Sequence, residues 1–314
     1  MKRTTIKDIA KAAGVSFVTV SKVINKTGAI SKKTSDKILS IAKELNYIPD
    51  NAARALVKGR SDSVSIVTPS FTTGFMQQLF MGIQQEMIGC YRDVNFHISG
   101  MSGEDIEGAL NMIKIGKKAA SVIVISQQPE AAQIEELVKA GIKVVLVEGK
   151  HPKAVMVSVD NENGAQIAAE RMRETGTKKP GLIIGHVKMI NSQKERLKGF
   201  RKVFKDNFAT YELRDHSFED GILAYRSLSA KGVDSVFCAA GDLVAYGFVF
   251  ESAKYGGKIK IIGFDDDLLS ESMGLTTVRQ DVKGMGAAAF RAASSETNQG
   301  TINFNTELIV RSSG

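Results

Sequence analysis

Beyond Arg60 the chain alternates short apolar runs with amphipathic stretches, and this rhythm constrains the fold more than any other feature. The apolar runs occupy 64–67 (VSIV), 121–125 (SVIVI), 143–147 (KVVLV), 155–159 (VMVSV), 181–184, 235–238 and 259–263. Helix-spaced segments lie between most of them, at 75–91, 104–116, 130–140, 164–175, 193–206, 220–231 and 242–254. A strand that is apolar on both faces is buried on both faces, and strands joined through helices run parallel. The body is therefore expected to be α/β, with enough strands for two doubly wound parallel-sheet lobes and a cleft between them. A length of 314 residues already calls for more than one domain. Hydrophobic residues at 43% and charged residues at 24% describe a globular chain.

The first 60 residues follow a different rule. They hold 13 Lys/Arg against 4 Asp/Glu, while the other 254 residues hold 29 against 30. The whole excess of the net charge of +8 sits in the head, which suits a polyanion such as DNA. Within "TIKDIAKAAGVSFVTVSKVIN", residues 5–25, Ile6, Ile9, Ala10 and Ala13 recur at helical spacing. Gly14 supplies a tight turn, and Ser16 is placed to cap a second helix that buries Val20, Val23 and Ile24. That helix turns Phe17, Val18, Ser21, Lys22 and Asn25 outward, with Ser16 and Thr19 at its start. A third segment, capped by Ser31, buries Ile38, Ile41, Ala42 and Leu45. Three short helices with a polar, basic face on the second make a small all-α helix-turn-helix head that reads DNA.

The run from Thr5 to Asn25 resembles the DNA-binding signature of the lactose-repressor (LacI/GalR) family of bacterial regulators. The likeness continues through "ELNYIPDNAARAL" (44–56), which is similar to that family's hinge, and ends with "TELIVRSSG" at the C-terminus. The resemblance implies a periplasmic-binding-protein-like core behind the head. It also implies a DNA-contact set that adds Ile6, at the start of the first helix, to the outward residues named above. Pro49 ends the preceding element, Asp50 can cap a short hinge helix, and so few residues form a helix only when docked. By the resemblance, Leu56 wedges into the minor groove with Ala53 beside it. Asp50 stands where the family usually has asparagine.

The same likeness points to effector residues just after strands. Arg196 in "SQKERLKGF" matches the family's effector arginine, while Asp242 in "CAAGDLVA" and Asp265 in "IIGFDDD" match acceptors for ligand hydroxyls. Phe218 stands where an aromatic stacks on the ligand, and Phe71 and Phe75 follow the first strand. The family's Asn-Asp pair is Gly241-Asp242 here, so one donor is missing.

These readings give a head over 1–60, with its hinge at about 50–57, and a core over 61–314. The N-lobe is expected over 61–160 and 280–302, and the C-lobe over 161–279 and 303–314. The expected function is a ligand-controlled repressor: a homodimer on double-stranded operator DNA, answering to a sugar, sugar phosphate or related metabolite. The alternative is a solute-binding protein of the same lobe fold. With no heptad tail after "FNTELIVR", the expected assembly stops at the dimer. "GMGAAA" (284–289) has too little chain after it to complete a dinucleotide-binding half and reads instead as a lobe helix. His97, His151, His186 and His216 show no metal-ligand spacing, and no nucleophile-elbow sequence occurs, so neither a metal, a cofactor nor an enzyme is expected. The basic N-terminus lacks an apolar core, no run is long enough to span a membrane, and Cys90 and Cys238 stand far apart. A cytoplasmic protein is expected.

Overall fold

Thr5 starts the first helix by reciprocal capping. Its backbone N–H donates to Asp8 Oδ2 (2.8 Å), and its hydroxyl accepts from the Asp8 N–H (3.4 Å). Helix α1 (Ile6–Ala13) ends at Gly14, whose φ of 66° is the left-handed conformation that glycine adopts without strain. Ser16 Oγ then accepts from the Thr19 N–H (3.1 Å) and opens α2 (Phe17–Ile24). Ser31 opens α3 (Lys32–Glu44) in the same way, accepting from the Thr34 N–H at 3.3 Å. Ile9, Ala10, Ala13, Val20, Val23, Ile38 and Ala42 form the buried centre of this unit. Ile6, Ile24 and Ile41 pack against that centre half-buried, whereas Leu45, at the end of α3, is exposed.

The computed structural model describes residues 4–24, 30–45, 47, 63–88, 90, 92–100, 103–116, 119–185, 190–297 and 299–314. The chain divides into two units, Met1–Ser61 and Asp62–Gly314. Asn25, Asp50, Ala53, Leu56 and His186 lie outside the described residues, and with them the expected hinge helix.

The second unit holds two sheets. The first takes β1 (Val64–Thr68), β2 (Val94–Ile98), β3 (Ser121–Ile125), β4 (Lys143–Val147) and β5 (Val155–Val159), with α4 (Gly74–Met87), α5 (Gly103–Ile115) and α6 (Ala131–Lys139) between them. Helix α7 (Asn161–Glu174) leads to the second sheet, which takes β6 (Pro180–Ile184), β7 (Ala209–Glu212), β8 (Ser235–Cys238), β9 (Lys260–Asp265) and β10 (Thr276–Gln280). Its helices are α8 (Asn191–Phe204), α9 (Phe218–Ala230) and α10 (Asp242–Ala253). The chain returns through α11 (Val282–Ser294), which packs on α4, and adds β11 (Gly300–Phe304) to the first sheet and β12 (Thr306–Ile309) to the second.

The spatial orders are β11-β5-β4-β3-β1-β2 and β12-β10-β9-β8-β6-β7. All pairings are parallel except β10 with β12. Central strands β1, β3 and β6 are buried along their whole length, as apolar runs covered on both faces must be. On one face of the second sheet Phe237 stacks on Phe200 (5.8 Å) and meets Phe264 at a tilt (6.3 Å), each fully buried and each stabilising by roughly 1.5–3 kcal/mol.

Each sheet reverses its winding beside its first strand, between β1 and β3 and between β6 and β8. Ligands in such sheets bind outside the carboxyl ends of the strands at that reversal. The sequence left β2, β7, β10 and β11 unread: β2 (VNFHI) and β7 (ATYE) are edge strands, β2 exposed on both faces and β7 in one row, so neither shows a continuous apolar run.

Candidate functional site

On the head, the outward face of α2 stands as its helical phase dictates. Phe17 (59% exposed) and Val18 (46%) are apolar yet face solvent, Lys22 is exposed, and Ser16, Thr19 and Ser21 surround them. The Ser16 and Thr19 hydroxyls lie 2.9 Å apart at the start of the helix, so this face is organised by its own cap. Ile6 sits half-buried against the head's core.

In the second unit a cavity of about 440 Å³ opens at the carboxyl ends of the strands, with walls from both sheets. Four of the six described non-glycine residues with positive φ line it: Ser126, Glu148, His216 and Asp265. Two of them show how strand ends are bent into the cleft, Glu148 after β4 (φ 64°) and Asp265 closing β9 (φ 111°). Such backbone is costly for side-chain-bearing residues and clusters where function needs it.

Arg196 on α8 forms the floor. It is only 5% exposed, donates from Nε to Asn161 Oδ1 and from Nη1 to the Ala239 carbonyl (both 2.7 Å), and stacks 3.5 Å over the Phe264 ring. Burial lowers its pKa, while the charges of Asp265 and Glu148 oppose that effect. No ion pair joins its guanidinium directly to either carboxylate among the described residues. Asp265 Oδ1 accepts from Gln280 Nε2 (2.6 Å), and burial pushes its pKa up to about 6 although Arg196 pulls it down. Glu148 accepts from the Val159 N–H (3.2 Å) and from Asn161 Nδ2, and burial lifts it to about 7. Gln193 completes the floor by accepting from the Gly185 N–H and donating to the Ala239 carbonyl.

Asp242 lines the cavity but is engaged differently from the expectation. Its oxygens accept from Thr277 Oγ1 (2.8 Å), Ser270 Oγ (2.6 Å) and the Asp267 N–H (3.1 Å), so protein donors occupy it. Burial first, and then the Asp265 charge, raise its pKa. Phe75 and Phe218 do line the cavity, Phe218 backed by Phe250. Phe71 does not; its ring packs with Phe80 (5.0 Å) and Phe96 (5.7 Å) beside the edge strand β2. Its neighbours Ser70 and Thr72 do line the cavity, while an aromatic partner on α4 and another on β2 pack against the Phe71 ring. Glu148, Asn161, Gln193 and Gln280 were missed by sequence reasoning. Only Glu148 carried a signal, an acid directly after the apolar run KVVLV.

The profile of bacterial regulatory proteins of the lacI family matches residues 5–50, and that of the periplasmic binding protein domain matches residues 64–300. The HTH-type transcriptional regulator DegA of Bacillus subtilis (strain 168) is 30% identical over 341 residues, spanning 99% of this chain and 98% of its own. The chain belongs to the lacI family of bacterial regulatory proteins. The ribose operon repressor of the same bacterium is another relative in this family, 28% identical over 91% of this chain and 89% of its own. Among solved structures, the lac repressor dimer bound to operator and the anti-inducer ONPF superposes with a TM-score of 0.81 at 21% identity, covering 99% of each chain. The transcriptional regulator CelR in complex with cellobiose gives 0.68 at 24%, covering 99% of this chain and 100% of the other. These two likenesses establish the fold: a helix-turn-helix head and a two-lobe α/β core. No helix among the described residues is long and apolar enough to cross a membrane.

Proposed function

We propose that this lacI-family regulator acts in the cytoplasm as a homodimer on a pseudo-palindromic operator, its affinity set by a small polyhydroxylated molecule between the lobes. One observation carries the ligand half. The cleft floor fixes Arg196 and Asp265 by their other atoms and leaves Arg196 Nη2 and Asp265 Oδ2 without a protein hydrogen bond among the described residues. A donor and an acceptor on the same cleft floor fit the hydroxyls of one ligand, each of which both gives and takes a hydrogen bond. The similar lac repressor structure is a dimer on operator and the similar CelR structure holds cellobiose, which supports the same division of labour. Regulation rather than catalysis follows, and the solute-binding alternative gives no role to the basic head.

For DNA, Phe17 and Val18 suit thymine methyls, and Lys22 can donate to guanine O6 or N7. Selection from random duplexes by the purified full-length protein is expected to return two half-sites about one helical turn apart. Lys22→Ala should lose ~1–3 kcal/mol and relax preference at one position per half-site. Uniform weakening over all sequences makes Lys22 a phosphate contact only, and recovery of no consensus overturns the operator reading. Ribose and cellobiose are the first probes for the cleft, read as a change in affinity for the selected duplex. By linkage the duplex must change probe affinity by the same factor.

A further inference from the structure

On one side of the cleft the lobes meet through ordinary polar contacts: Asn191 Nδ2 donates to Gln128 Oε1 (2.8 Å), and Lys150 pairs with Glu195. The opposite side is built differently. Gly74 is the first residue of α4, in the lobe of the first sheet, and Asp267 follows β9 in the other lobe. A Cβ on Gly74 would lie 2.5 Å from Asp267 Oδ2, so the carboxylate packs directly on the bare Gly74 Cα.

Asp267 is held in that position by its own lobe. Its Oδ1 accepts from the Tyr246 hydroxyl and from the Leu269 N–H (3.0 Å), and its backbone N–H donates to Asp242 Oδ2. Ser270 Oγ, in contact with the Tyr246 hydroxyl at 2.8 Å, donates to the same Asp242 oxygen. The first turn of α4 carries no acid of its own, and Thr73 caps only the Met76 N–H. An anion from the facing lobe therefore meets the positive end of the helix, an arrangement that favours it.

We propose that Asp267 is a latch: a positioning residue that docks on the amino end of α4 across Gly74 and sets how far the lobes close before any ligand arrives. Because Asp242 holds the Asp267 backbone, the latch joins the cleft's buried acids to the opposite lobe through two hydrogen-bonded residues. Gly74 is required for its missing side chain and not for backbone freedom, since its φ is not among the left-handed glycines. Alanine at this first helical position should otherwise be tolerated or favoured.

The test uses full-length, unliganded protein, so its answer is independent of whether the ligand is a sugar. With Cys90→Ser in every sample, spin labels on Lys139→Cys in one lobe and Lys231→Cys in the other report the lobe separation by pulsed electron resonance, diluted with unlabelled protein. Asp267→Asn, which keeps the shape and removes the charge, is expected to raise the open-to-closed ratio roughly two- to fivefold. Asp267→Ala should open the lobes further, and Gly74→Ala should open them while Asp267 is present. In the double variant alanine at 74 meets no carboxylate, so its distances should match those of Asp267→Ala alone. Unchanged distances in Asp267→Asn and Gly74→Ala overturn the latch, as do independent, additive effects in the double variant. If Asp267→Ala fails to fold, those two single variants still decide.

Discussion

The two lobes share a winding order but treat their cleft-facing strand ends in different ways. At the ends of the second sheet, Gln193, Arg196, Asp242, Asp265 and Gln280 are all buried and tied to one another's neighbours by hydrogen bonds. At the ends of the first sheet a single buried acid, Glu148, stands among small or apolar cavity residues such as Ser126, Phe75 and Met76. The second lobe is thus a preorganised floor, and the first lobe, whose buried and hydrogen-bonded Thr68, Ser99 and Gln127 do not line the cavity, closes over it with Glu148 as its buried acid. Hydrogen bonds hold the floor's groups in place, although Gln280 Oε1 has no partner among the described residues, and removing one member exposes the rest to the cost of desolvation. The difference predicts that substitutions in the floor act on stability as well as on ligand, whereas those in the roof act mainly on closure.

The harshest way to break that contrast is Arg196→Ala. It strips Asn161 Oδ1 and the Ala239 carbonyl of a donor and removes the cation beside two buried acids. The expected loss is about 3 kcal/mol or more in denaturant unfolding, on top of the loss of ligand response. A melt unchanged from the parent protein would show that the floor is not preorganised by Arg196.

Protonation gives the next effect. Burial raises Glu148 to about 7 and Asp265 to about 6, above their ordinary values of 4.5 and 3.8. The folded cleft therefore keeps protons that the unfolded chain has already released. This contribution to stability is full below the ordinary carboxylate values and is lost as pH rises through about 6 for Asp265 and about 7 for Glu148. Glu148→Gln should weaken the dependence across the whole interval from about pH 4.5 to 7, removing nearly all of it above about 6 and leaving only the Asp265 contribution below. Unfolding midpoints taken across that range check it, and an unaltered slope in the variant removes Glu148 as the source.

The contrast also explains what the sequence disclosed. The first lobe was legible because its central strands, such as SVIVI and KVVLV, are apolar on both faces. Strand β10 (TTVRQ) is just as deep in its sheet but went unread, because Thr277 and Gln280 spend their polarity on Asp242 and Asp265. A buried strand whose side chains serve a site looks like a loop in a hydropathy pattern. Arg196 and Asp265 were found through resemblance. Their partners Asn161 and Gln280 were not, since pairing across 35 and 15 positions leaves no local trace. Gly241 read as a lost donor; in the fold a Cβ there would sit 2.9 Å from Asp265 Oδ2, so the missing side chain also makes room for the carboxylate.

A gentler cut at the floor is Thr277→Val, which keeps the shape and removes the hydroxyl that donates to Asp242 Oδ1. Ser270 and the Asp267 N–H remain on Asp242 Oδ2, so one oxygen of a buried acid is left unsatisfied. The expected cost is ~1–3 kcal/mol, smaller than for Arg196→Ala, with the Asp242 pKa driven still higher. Thermal unfolding at neutral pH measures it. A cost below experimental error would mean that water replaces the hydroxyl and that this end of the floor is wet.

The smallest expected effect has the opposite sign and lies in the roof. Ser126 follows β3 with φ at 53°, a conformation that costs an L-residue energy and glycine almost none. Its hydroxyl makes no hydrogen bond among the described residues, so replacement removes no partner. Ser126→Gly relieves the strain but gives the unfolded chain more freedom, and the two terms leave a net gain of about 0.5 kcal/mol at most. The same exchange at Asp265, with φ at 111°, removes the Gln280 bond and a carboxylate of the floor, and must destabilise or abolish the ligand response. Strain at these two strand ends is alike in kind, but of the two only Asp265 is held by a side-chain hydrogen bond, as Glu148 is in the first lobe. Paired melts of the two glycine variants decide the point: a loss at Ser126 as large as that at Asp265 would erase the distinction between roof and floor.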